Sequence, residues 1–214
     1  MNTPPERTWN GVSAEDRRAE RRLRLIEAGV EIMGTQGAQA VTVRAVCRAM
    51  HISERHYYQL FDSKDEFLLA VYDHVVEEAL SSVGAASAII EVDQPAALRH
   101  FTGLWIDFVV ADPRYGRIIA VEAARSKVLA QRGRQVATTM LQIFLTYAGG
   151  GGVGSESVGR NDADLEITAT ILVTGFWGLL LAWLDGTLMA NLDRDELIER
   201  VVALVLRALP PVYP

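Results

Sequence analysis

Along residues 23–33 the apolar positions fall three or four apart: Leu23, Ile26, Val30 and Met33 form one stripe, with polar and charged side chains between them. This is the period of an α-helix with one buried face, and the pattern predicts a first helix over 14–36. Ser13 and Asp16 have capping-box spacing, in which hydroxyl and carboxylate each take an orphan amide. Glu15 and Asp16 also suit the positive end of the helix, and Gly37 is a natural stop. Two short helices follow, over 43–50 with Thr42 as cap and over 54–60 with Ser53 as cap, separated by a tight turn. Ser63 to Glu66 reads as a second capping box. It opens a long fourth helix, expected to about residue 83, whose Phe67, Leu68, Val71, Val75 and Leu80 keep a core-facing period. Later helix-length apolar runs cover 95–111, 114–129, 131–147, 162–185 and 193–209. Residues 1–12 read as a flexible tail and the glycine-rich 149–159 as a flexible loop.

Composition agrees with an all-α fold. With 50% hydrophobic and 22% charged residues, the 214-residue chain can bury a core, which excludes disordered, collagen-like and disulfide-scaffold classes. Only 7 prolines interrupt it, so long helices are allowed. The single cysteine, Cys47, cannot form an internal disulfide, and no secretory signal pattern is read at residue 1, so the expected compartment is the cytoplasm.

Charge is uneven. Residues 17–64 hold nine basic side chains against five acidic ones, +4, which leaves −10 for the rest of a chain whose net charge is −6. A basic amino-terminal segment on an acidic body is the electrostatic footprint of a nucleic-acid module. The run Arg17, Arg18, Arg21, Arg22 and Arg24 on the first helix reads equally as a phosphate-facing surface or as a plain solvated face.

A helix, a tight turn and a second helix, preceded by a packing helix, form the helix-turn-helix arrangement, whose second helix enters the major groove. The segment TVRAVCRAMHISERHYYQLFDSKDEFL resembles the TetR family of transcriptional regulators, and the likeness spans about residues 17–71, with Ala28, Gly29, Gly37 and Thr42 also fitting. The resemblance implies an amino-terminal DNA-binding domain over 13–62 and a larger helical effector-binding and dimerisation domain over 63–214. It departs at His51, where glycine is usual and positive φ must be tolerated, at Tyr57, where leucine is common, and at Leu60, where histidine is frequent.

With that orientation, Arg44 and Arg55 are the candidates for base edges, because a guanidinium bridges O6 and N7 of guanine. Tyr58 offers a phenol to phosphate while its ring packs inward. Lys64 joins an ammonium to the free amides of a helix start. The hydroxyls of Thr42 and Ser53 serve as caps or phosphate donors, and His56 can contact phosphate or base. Glu54 is expected to answer the helix dipole.

Residues 167–184 carry no formal charge and approach a membrane span in length. Glu166 and Asp185 bracket them without basic flanks and Trp177 lies mid-segment, so a buried helix is the better reading and no membrane partner is expected. In the resembling family the last two helices pair with those of a second copy as a four-helix bundle. Gly175 and Gly178 would permit close approach there, and Leu197, Val201, Leu204 and Val205 supply the companion stripe.

The resemblance implies an effector site in the region between, where Trp105, Phe108, Met140, Phe144 and Trp177, together with Phe101, Tyr115 and Tyr147, suit a small, largely apolar ligand. Asp107 interrupts FTGLWIDFVV, so it faces water or meets His100 or a cationic ligand group. No phosphate loop, GxSxG elbow or metal-ligand cluster occurs, and Cys47 and His51 lack further ligands nearby, so neither an enzyme nor a metal or cofactor is expected. The expected function is a ligand-responsive repressor that binds a near-palindromic duplex operator as a homodimer. The alternative is a DNA-binding regulator without an effector, with a helical enzyme or a membrane-associated protein behind it.

Overall fold

The computed structural model describes residues 13–87, 94–148, 162–188 and 191–208, which form helices joined by turns and no strands. Helix α1 (Ala14–Gln36) begins with the expected capping box: Asp16 donates its amide to the Ser13 hydroxyl at 2.9 Å, and Ser13 donates its own to the Asp16 carboxylate at 3.1 Å. That pairing holds the Asp16 carboxyl below its ordinary pKa. Gly37, at φ 91°, stops the helix.

Helices α2 (Val43–Ala49) and α3 (Glu54–Tyr58) are each shorter than the pattern predicts. The end of α2 is set by His51, which takes φ 54° and lets Ile52 donate back to the Cys47 carbonyl at 3.0 Å. This is the Schellman arrangement, which glycine ordinarily supplies. Thr42 caps α2 through the Ala45 amide at 3.1 Å. Ser53 does not cap α3, because its hydroxyl pairs with Nδ1 of His56 at 2.9 Å.

Helix α4 (Lys64–Ser87) runs four residues beyond expectation. Its capping box is displaced by one residue: Ser63 accepts the Glu66 amide, but the Glu66 carboxylate takes the amide of Asp62. After α5 (Gln94–Ala111), the single helix expected over 114–129 is broken. Asp112 caps a one-turn α6 (Pro113–Gly116). A π-helical segment (Arg117–Glu122) and the short α7 (Ala123–Arg125) follow, and Ser126 is extended. The long helices α8 (Lys127–Ala148), α9 (Asp162–Leu184) and α10 (Arg194–Ala208) complete the chain. The expected tail and glycine-rich loop lie outside the described residues.

Helices α1 and α4 pack at short range because Gly29 has no side chain: a Cβ there would lie 2.4 Å from Val71 and 2.8 Å from Phe67. Helix α5 packs on α4, α8 and α10, and α9 on α8, so one continuous core runs from Leu25 to Val202. Among the described residues, no helix is long and apolar enough to cross a membrane.

Candidate nucleic-acid interface and apolar cavity

Under the turn between α2 and α3 lies a compact aromatic floor. Tyr57, Phe61 and Phe67 are all buried, with ring centroids 4.8–5.7 Å apart, and Val46 and Cys47 of α2 are buried as well. Burial raises the Tyr57 phenol and, with help from the Glu54 charge, the Cys47 thiol, so both stay protonated. Cys47 is the core residue that the sequence suggested. No cluster of three metal-ligating side chains occurs among the described residues.

Side chains on the outer side of this module are exposed. Arg55 and His56 point to solvent, and Arg55 makes no ion pair among the described residues. Arg44 approaches Glu54 at 3.5 Å, a loose exposed contact that brings the starts of α2 and α3 together. Lys64 opens α4. Tyr58 differs from expectation: its ring does not pack inward but stands 51% exposed, meeting the Tyr57 ring edge-to-face at 5.4 Å. Tyr57, where leucine is common in the resembling family, fills the inward place instead.

Two members of the arginine run have a use that the sequence did not suggest. Arg18 donates to the Gln59 carbonyl at 3.1 Å, and Arg22 lies 4.7 Å over the Phe61 ring. Both tie α1 to the link between α3 and α4.

Residues 25–71 match the family model described as bacterial regulatory proteins, tetR family. Residues 25–71 are a TetR-type amino-terminal domain. That domain is the DNA-binding part of the family's regulators. Three solved structures share the fold of TetR regulators seen here. A putative tetR family transcription regulator from Shewanella sp. PV-4 is 14% identical, with a TM-score of 0.69 over 88% of this chain and 97% of that one. The fatty acid degradation regulator FadR from Bacillus halodurans is 15% identical, at 0.66 over 88% and 96%. A transcriptional regulator from Rhodococcus sp. RHA1 is 21% identical, at 0.64 over 89% and 99%. No curated protein matches the sequence.

In the body of the chain, α5, α8, α9 and α10 line a partly open cavity of about 100 Å³, with Phe101, Trp105, Met140, Phe176, Trp177 and Val201 among its walls. The rings meet edge-on, Trp105 with Trp177 at 5.6 Å and with Phe101 at 6.2 Å. Of the residues expected to line an effector site, Trp105, Met140 and Trp177 come together there. Phe108 does not, because it stacks on Tyr115 at 5.2 Å. Asp107 does not either: it is exposed, and its two oxygens accept from Nε and Nη2 of Arg194, each at 2.6 Å. Its partner among the described residues is a cation on α10 and not His100, and the carboxylate raises the pKa of Arg194. The side chain of Phe144 lies outside the described residues.

Sequence reasoning missed Glu122, which is buried and accepts the Ala38 amide at 2.8 Å. Within an apolar run, nothing marks this glutamate as facing a backbone amide 84 residues away. Ser126, which precedes Lys127 and whose hydroxyl takes the Leu129 amide, was the available sign that the 114–129 helix is interrupted.

Proposed function

We propose that this protein is a repressor that binds a near-palindromic duplex operator as a homodimer in the cytoplasm and is released by a small apolar effector. The observation that carries the reading is α3: a short helix fixed from beneath by buried Tyr57 and presenting Arg55, His56 and Tyr58 to solvent. Arg44 and Arg55 read guanine edges. Tyr58, Lys64, Thr42, Ser53 and His56 set the register on phosphates. One such helix reads few base pairs, so a second copy completes the site.

Dimerisation through α9 and α10 is supported by Ile167, Ile171 and Leu204, which are more than half exposed on the single chain, and by the open space around Gly175 and Gly178. An uncharged effector is supported by the cavity wall, where Trp105, Met140 and Trp177 join Phe101 and Phe176 and no cation appears among the described lining residues. Two structural neighbours are named for fatty acid degradation and fatty acid metabolism, in keeping with apolar ligands. The effector acts only through a difference in its affinity for the DNA-competent and DNA-free arrangements.

The test is selection of fragments of the source organism's DNA by purified protein, with the Arg44→Ala/Tyr58→Ala double variant alongside. Enrichment of a near-palindrome by the parent alone is expected. A folded dimer that enriches nothing, or a variant that enriches the same site equally, would sink the reading.

A further inference from the structure

Three side chains of the segment between α5 and α8 reach the end of α1. Arg114 pairs with Glu31, and Nη1 of Arg117 donates to the Thr35 carbonyl at 3.1 Å. Glu122 takes the amide of Ala38, the second residue after α1 ends and four before the Thr42 cap of α2. The carboxylate is 5% exposed. Gly37 is packed so closely that a Cβ there would lie 3.1 Å from Oε1 of Glu122.

The π-helical turn explains how one short segment makes these contacts. Arg117 and Glu122 touch, Nε to Oε1, at 3.4 Å. In an α-helix, residues five apart point about 140° away from each other, since 3.6 residues complete a turn. The wider i→i+5 turn, seen in the Ala123 amide donating to the Ile118 carbonyl, brings positions 117 and 122 to one side, where both meet α1. The other side of the segment, through Ile119, Ala120 and Ala123, lines a groove with Met140, Val173 and Trp177, which also wall the apolar cavity.

We propose that Glu122, brought into place by the π-helical turn, is a positioning residue for operator binding: by holding the Ala38 amide it fixes the angle at which α2 and α3 leave the body. This rests on the regulatory reading above. The carboxylate touches no DNA. It acts through the backbone of the α1–α2 turn, and each subunit of a dimer must hold the same angle for both recognition helices to fit one duplex.

Glu122→Met removes the acceptor at similar size, while Glu122→Gln keeps an oxygen for the Ala38 amide. Both are compared with the parent for affinity to the selected operator, affinity to random-sequence duplex, and hydrogen exchange at the Ala38 amide. For the Met variant, operator affinity should fall about tenfold or more and Ala38 exchange should speed up by a similar factor, with random-sequence binding unchanged. The Gln variant should stay near the parent in all three. Equal losses on both DNAs, unchanged operator affinity, or an Ala38 amide still protected in the Met variant would each overturn the proposal. Exchange is read on protein alone, so failure to select any operator counts against the regulatory reading, whereas a protected Ala38 counts against this one.

Discussion

Tyr57 and Tyr58 are neighbours in the chain with opposite surroundings: one is 1% exposed in the aromatic floor, the other 51% exposed on the outer side. On so short a helix, one residue of rotation, about 100°, separates packing from recognition. Tyr57→Ala should therefore cost about 3–5 kcal/mol through loss of a buried ring. Tyr58→Ala should leave the unfolding midpoint near that of the parent while weakening DNA binding, and denaturant unfolding of the two variants side by side checks this. The sequence told both residues apart from a plain surface but assigned the inward ring to Tyr58. Alternation of burial along a five-residue helix is not fixed by its own pattern, and here it is decided by Phe61 and Phe67, which lie beyond it. His51 was legible for the opposite reason: positive φ is a local demand of the turn, and the structure meets it at 54°.

At the scale of elements, helix ends written by nearby residues were readable and ends set by distant ones were not. The caps at Ser13 and Thr42 involve partners three residues away and form as expected. The π-helical turn inside the expected 114–129 helix goes with Glu122 reaching Ala38 and Arg117 reaching Thr35, contacts that no window of a few residues contains. Asp107 shows the same limit. Its charge within an apolar run called for a partner, but Arg194 is 87 residues away. The close packing of α1 on α4 gives an element-scale prediction. Gly29→Ala would press a methyl group onto Val71 and Phe67, so the two helices must separate or those side chains must leave their rotamers. A loss of about 1–3 kcal/mol is expected, measured as a lowered thermal midpoint. An unchanged midpoint would show that the interface gives way without cost.

For the whole molecule, the proposed function assigns the exposed Ile167, Ile171 and Leu204 of α9 and α10 to contact with a second copy and the basic module to DNA. Ile171→Glu/Leu204→Glu should convert a particle of twice 23.5 kDa into one of 23.5 kDa by sedimentation, with helix content kept and operator binding lost. A double variant that still sediments as a dimer would place the interface elsewhere. The cavity has a practical consequence as well. Two of the chain's four tryptophans, Trp105 and Trp177, stand edge-to-face in its wall. A molecule entering that space changes the surroundings of both indoles together, so the protein's intrinsic fluorescence reports occupancy without any label. Candidate effectors can therefore be sought before a single operator sequence is known.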